Sequence, residues 1–243
     1  YGTVFSLNDD TAAKLIDLEE KLDFCFLLRE IAAGNITTFG SEWCKTHEFH
    51  IFDDGAVLEM KKHDMSLENK KIKGVLVQKF IVEICEQALT MLVSGMASLD
   101  IKPNNVLFDK KNESFHMCDF GINNTVLGVA QPKLCGALWF RTVESIAAEI
   151  NGNKWTRPNV ELIEAGIVWQ IGVTALTLLL GVNPMSIRSK GAVVKKDKFG
   201  NETFVSFLER LSVFCDEPFM PMSAMLNYET LPENVGILIS EIN

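Results

Sequence analysis

This chain of 243 residues lacks the cysteine spacing of a disulfide framework or a cysteine-rich zinc site. Its six cysteines, Cys25, Cys44, Cys85, Cys118, Cys135 and Cys215, form no CxxC and no paired spacing. Among neighbours such as Phe24, Phe26 and Ile84 they read as reduced, small hydrophobes. Positive charge is also scarce: 23 lysines and arginines face 32 acids, a net of −9 with pI about 5.0. That argues against direct nucleic-acid binding, which needs basic patches against phosphates. It suits a basic partner, or solubility alone. No secretory leader or basic targeting run is recognised at the start, so an intracellular place is expected. Because the first residue is Tyr1 rather than methionine, further residues are expected upstream. Internal repeats and low-complexity segments are missing as well.

One run lacks charge altogether. Residues 165–182 are uncharged over eighteen positions, close to the length that spans a bilayer. Gln170, Thr174 and Thr177 interrupt it, and nothing else is membrane-like. A fully buried helix in a helical core is therefore expected, and no membrane partner. Apolar residues make up 47% of the chain, enough for a substantial core and against disorder.

Residues 1–7 and 12–16 are short apolar segments joined by Asn8-Asp9-Asp10, which predicts a hairpin. Leu22, Phe26, Leu27 and Ile31 fall at helical spacing within 18–33, ending before Gly34-Asn35. Asp53-Asp54-Gly55 signals a second hairpin between 49–52 and 56–60. Lys61-Lys62-His63-Asp64 reads as a connector. A long helix is expected over 74–93, with Leu76, Phe80, Ile81, Ile84, Ala88, Leu89 and Leu92 on one face. Short strands follow at 106–108 and 115–117, and the rest reads as mostly helical. The expected fold is α+β, with a small β-rich part at 1–60 and a larger helical part at 61–243.

The chemistry concentrates in Asp100-Ile101-Lys102-Pro103-Asn104-Asn105, followed nineteen residues after Asp100 by Asp119-Phe120-Gly121. Two acids, a lysine and an asparagine at this spacing meet the needs of phosphoryl transfer. One acid orients a hydroxyl and accepts its proton, a cation neutralises phosphate charge, and oxygen ligands hold Mg²⁺. Asp-x-Lys-x-x-Asn, then Asp-Phe-Gly, resembles the catalytic loop and metal motif of eukaryotic-type protein kinases.

Other segments resemble that family in the right order. Tyr1-Gly2-Thr3-Val4 is similar to the second half of the glycine-rich loop over ATP. Ala12-Ala13-Lys14 is similar to the strand with the phosphate-binding lysine, and Glu30 to its ion-pair partner. Leu58-Glu59-Met60-Lys61 resembles the gatekeeper and hinge. Residues 136–144 resemble the end of the activation segment, and residues 169–173 the buried helix of the large lobe. The resemblance implies a two-lobed serine/threonine kinase fold using ATP and Mg²⁺. Asp100 would be the base, Lys102 the γ-phosphate contact, and Asn105 and Asp119 the metal ligands. Lys14, Glu30, Gly2, Val4, Ala12, Glu59, Lys61 and Leu107 would form the nucleotide site.

The chain also departs from the family pattern. Ser98-Leu99 stands where His-Arg is usual, and residues 122–134 offer only Thr125 as a hydroxyl. Activity independent of activation-loop phosphorylation is therefore expected. Ile167 replaces the acid that braces the catalytic loop, so that loop must be held another way. Ala137 replaces a threonine, and Val143 the proline of Ala-Pro-Glu. Glu144 has no clear arginine partner, although Tyr228-Glu229 is a candidate start of that region. Divergence around a retained catalytic set resembles virus-encoded kinases, including baculovirus kinases that act on arginine-rich packaging proteins. That would mean a basic substrate, and a place in the cytoplasm or nucleus of a host cell. Glu68, Glu144, Glu149 and Glu161 are candidate contacts for a basic peptide, against the plainer reading of solvated surface. The alternative function is a pseudokinase or scaffold that works by docking.

Overall fold

The computed structural model describes residues 2–18, 21–35, 46–121, 124–125, 137, 140–142, 160–181 and 183. The chain forms two compact units, Tyr1–Gly181 and Val182–Asn243, and only Asn183 of the second is described. The expected boundary at residue 60 falls within the first unit, close to the end of its large sheet.

That sheet has four strands in the order β1-β2-β4-β3. They are β1 Thr3–Ser6, β2 Thr11–Asp17, β3 Thr46–Ile51 and β4 Gly55–Lys61. Both expected hairpins form. Asn8 shapes the first, its side-chain Oδ1 accepting the Asp10 and Thr11 N–H groups at 2.9 and 2.8 Å. β1 and β2 pair antiparallel with Val4 opposite Lys14, and β2 pairs β4 with Lys14 opposite Leu58. Helix α1, Lys21–Gly34, follows β2. Its Leu27 is fully buried with Ile16, Ala56 and Leu58 in a small core.

The helical part begins after β5, Met65–Ser66. Helix α2 spans Gly74–Val93, the predicted range. Its chain leaves through Gly95 at φ 80°, whose N–H bonds back to the Leu92 carbonyl at 2.9 Å. The buried face carries Val77, Phe80, Ile84, Ala88 and Met91. Ile81 and Leu89, expected on that face, point to solvent at 38% and 61% exposure. Helical spacing alone places both a residue off the face that packs.

After β6, Met96–Ala97, comes a 3₁₀ turn at Pro103–Asn105, then β7 Val106–Asp109 and β8 Ser114–Met117. β5, β7 and β8 form a three-stranded sheet, and β6 pairs β9, Asn124–Thr125. Phe115 of β8 meets Phe80 edge-on, ring centroids 5.6 Å apart at 87°. Buried Gln87 of α2 grips β8: its Nε2 donates to the Phe115 carbonyl at 2.7 Å, and its Oε1 accepts the Met117 N–H at 2.8 Å.

Helix α3, Val160–Leu180, contains most of the uncharged run. Ile163–Leu180 is long and apolar enough to cross a membrane by composition. Ile163, Ile167, Ile171, Ala175 and Leu178 join the main core with Phe80, Ile84 and Met91, but Val168 is 67% exposed, so the helix is buried along one face and not all round as expected. The cysteines depart from expectation. Cys25 and Cys85 are free and exposed, because they lie on the outward faces of α1 and α2, while Cys118 is half-buried. Cys44, Cys135 and Cys215 lie outside the described residues.

His116 of β8 packs beside His63, ring centroids 4.4 Å apart. Burial first, then the neighbouring His63 and Lys61, push its pKa down to about 4, against the pull of Asp109. The unfolded chain binds this proton near 6.5, so stability is fully present above pH 6.5 and is lost as pH falls towards 4. Discounting for partial exposure, the loss amounts to roughly 1–3 kcal/mol. Urea denaturation in EDTA between pH 7 and pH 4.5 is expected to show it, with the slope flattened in His116→Gln.

Candidate active site

Strand alternation creates the first half of the site. Val4 and Lys14 are directly opposed, as are Lys14 and Leu58, so their side chains share one sheet face. Lys14 Nζ donates to Glu30 Oε1 of α1 at 3.0 Å and to Asp119 Oδ1 at 2.8 Å. Its side chain is only 11% exposed. Burial by itself would lower the lysine pKa. The charges of Glu30 and Asp119 outweigh that and hold the ammonium above the usual lysine range. Asp119 adopts φ 61°, a left-handed conformation that aspartate tolerates better than most residues. Phe120 is meanwhile buried in the main core.

Gly2 approaches β2 so closely that a Cβ there would collide with the Leu15 carbonyl. Only glycine lets the backbone run at that height over the sheet.

The second half is the loop that enters β7. Asp100 is 4% exposed and accepts three bonds on its carboxylate. Lys102 Nζ and Asn105 Nδ2 donate to Oδ2 at 2.7 and 2.8 Å, and the Ala137 N–H donates to Oδ1 at 2.8 Å. Asn105 Nδ2 also reaches the Asp100 carbonyl at 2.9 Å, which leaves its amide oxygen for other partners. The Asn105 carbonyl accepts the Cys118 N–H at 3.0 Å, tying this loop to the segment that carries Asp119.

A cavity of about 340 Å³ joins the halves. Among the expected residues, Gly2, Val4, Lys14, Glu30, Asn105, Leu107 and Asp119 line it. Asp100 and Lys102 stand beside it, bonded to Asn105. Ala12 shares the Lys14 face but is not on the lining. Glu59 and Lys61, expected there through backbone groups, are not on the lining, and Leu58–Lys61 is ladder paired with β2. With period two, Glu59 and Lys61 fall on the face opposite Lys14. Glu59 instead lies 4.0 Å from His50. Met60 takes the lining position, with Cys118 and Phe120. Thr125 lies in β9. Gly136, Leu138, Trp139, Val143, Glu144, Glu149, Tyr228 and Glu229 lie outside the described residues, and Glu161 is placed only as backbone of α3.

The catalytic loop is braced from α3, by polar residues that interrupt its apolar run. Gln170 Oε1 accepts the Ile101 N–H at 2.9 Å, and its Nε2 donates to the Leu99 carbonyl at 2.7 Å. Thr174 Oγ1, one turn on, donates to the Ile101 carbonyl at 3.1 Å. The expected need for another brace at Ile167 is thus met three residues later. Two polar residues four apart inside an apolar helix were the available signal.

A buried lysine held by a helix carboxylate and by an Asp after β8, facing a loop with Asp, Lys and Asn, defines a protein-kinase-type cleft. The chain belongs to that family: the protein kinase domain matches residues 17–217. The match begins after Lys14, so the role of Lys14 rests on its geometry. The chain is 24% identical to the serine/threonine-protein kinase SKS1 of Saccharomyces cerevisiae, over 96% of this chain and 47% of that protein. It is 26% identical to the yeast serine/threonine-protein kinase VHS1, over 62% of this chain and 31% of that one. With mitogen-activated protein kinase kinase 8 of Arabidopsis thaliana it shares 27% identity, over 82% and 65% respectively. The chain spans about half or less of the length of the two yeast relatives.

Gln170→Leu keeps the volume but leaves a buried N–H and C=O unpaired. A loss of roughly 2–4 kcal/mol is expected by urea denaturation, with about 1 kcal/mol for Thr174→Val.

Proposed function

We propose that the chain transfers the γ-phosphoryl group of ATP to a serine or threonine hydroxyl of a protein. The observation that carries this reading is Lys14, buried between Glu30 and Asp119 in a cavity bordered by the Asp100 loop. The residues fit the nucleotide: Val4, Met60 and Leu107 offer apolar walls, Gly2 a bare backbone, and Lys14 a cation for phosphate oxygens. The free amide oxygen of Asn105 and the second oxygen of Asp119 fit a hard cation. Mg²⁺ bound there would supply neutralising charge to the phosphates.

Asp100 holds the acceptor hydroxyl in line and takes its proton. The new O–P bond forms as the bridging O–P bond breaks, and ADP leaves with that electron pair. Lys102, bonded to Asp100, meets the charge on the transferred group. A lysine two residues after the base supports serine/threonine rather than tyrosine acceptors. The acidic balance of −9 supports a basic, arginine-rich substrate through steering, and a protein rather than a nucleic acid. The free cysteines support an intracellular place, cytoplasm or nucleus. A virus-encoded origin rests on the pattern of departures alone.

Radiolabelled transfer from ATP with Mg²⁺, to an arginine-rich protein and to a generic acceptor, tests the reading. Asp100→Asn is expected to lower the rate roughly 10²–10⁴-fold while nucleotide binding is kept. Lys14→Met is expected to weaken both. If wild type transfers to neither acceptor yet binds ATP, the docking alternative takes its place.

A further inference from the structure

Three metal-ligating side chains meet outside the cleft. His63 lies in the connector between β4 and β5, Asp109 ends β7, and His116 sits within β8. One ligand atom from each lies within 4.8 Å of the other two. Both ring nitrogens of His63, and Nδ1 of His116, are buried without a hydrogen-bond partner. Buried polar atoms are seldom left unpaired, and three in one pair of rings call for a ligand.

The surroundings orient the group. Asp109 Oδ1 accepts the Lys111 and Asn112 N–H groups at 2.9 and 3.1 Å, and Oδ2 accepts the Asn112 amide at 2.9 Å. Ser114 Oγ lies 2.8 Å from His116 Nε2, leaving Nδ1 as the available nitrogen. Bonds of this kind fix the orientation of metal ligands. The two segments are already joined: Asp64, next to His63, accepts the Lys110 N–H at 2.6 Å, and Met65 pairs with Phe108.

We propose that His63, Asp109 and His116 bind one divalent transition-metal cation, for which Zn²⁺ is the probe. Two imidazoles and a carboxylate form a borderline nitrogen–oxygen donor set, and water takes the fourth position. Tetrahedral Zn²⁺ with bonds of about 2.0–2.2 Å needs ligand atoms about 3.3 Å apart, so binding draws the side chains together. The ion staples the connector that leaves the large sheet to the β7–β8 hairpin. The site does not depend on the phosphoryl-transfer reading.

The whole chain, stripped with EDTA and desalted, is titrated with ZnCl₂ by calorimetry, and its thermal midpoint is followed with and without zinc. One Zn²⁺ per chain and a raised midpoint are expected. His63→Gln/His116→Gln is expected to bind roughly tenfold or more weakly. No binding by wild type overturns the site. Equal binding by the double variant, as exposed Cys25 and Cys85 would give, also overturns it. Should the double variant fail to fold, His63→Gln alone decides, since neither ring nitrogen has a protein partner to lose, and an unchanged affinity overturns the site.

Discussion

The ammonium of Lys14 is the charge around which the cleft is assembled. It has left water almost completely, and no single carboxylate satisfies it. Glu30 reaches it from α1 at 3.0 Å and Asp119 from the segment after β8 at 2.8 Å. Taking such ions out of water costs several kcal/mol each, recovered only when the partners are well placed. The ion therefore constrains three elements together: the register of β2, the rotation of α1, and the left-handed turn at Asp119. Shifting β2 by one residue would send Lys14 to the other face and leave two carboxylates facing each other.

The loops of the second half obey a different constraint. Residues 98–105 run through apolar packing without a ladder of their own, so their backbone groups need partners from elsewhere. Long buried amides supply them. Gln170 serves one N–H and one C=O of the catalytic loop, and Gln87 does the same for β8. An amide brings both a donor and an acceptor, whereas a carboxylate brings only acceptors and a charge to bury. That explains how Ile167 can be apolar where the family usually has an acid. The brace has moved along α3, and the loop keeps its shape without another buried anion close to Asp100. The backbone N–H of Ala137 likewise reaches Asp100 at 2.8 Å although the usual hydroxyl is gone.

What the sequence revealed follows from which interactions are local. Helix α2 was legible to the residue because long apolar periodicity ends at Gly95. The hairpins were legible because Asn8 and Asp53-Asp54-Gly55 are turn chemistry. Lys14, Glu30, Asn105 and Asp119 were legible through motif order, and the cavity gathers all four. Errors arose where the answer depends on phase or on distant partners. Glu59 and Lys61 are expected at the nucleotide through backbone groups; β4 continues to Lys61, and alternation turns both side chains away from Lys14. Ile81 and Leu89 were assigned inward because an apolar side chain does not reveal which of two faces packs. Gln170 and Thr174 looked like flaws in a hydrophobic run, since Leu99 and Ile101 lie about seventy residues earlier in the chain.

The charged groups of the cleft pair with one another. Lys14 is shared by two acids, and Asp100 is covered by Lys102, Asn105 and a backbone N–H. Each of these groups has another partner in the proposed reaction, so binding there would proceed by exchange rather than by filling bare charge. Phosphate oxygens would draw Lys14 from Asp119, and that release frees the oxygen a cation needs. The two events favour each other, because each removes the competitor of the other. Glu30, deeper and held by the same lysine, keeps Lys14 in place during the exchange. A nucleotide without a cation would leave Asp119 unpaired close to phosphate, and a cation alone would compete with Lys14 at 2.8 Å. On the proposed reading, the two would arrive as one complex.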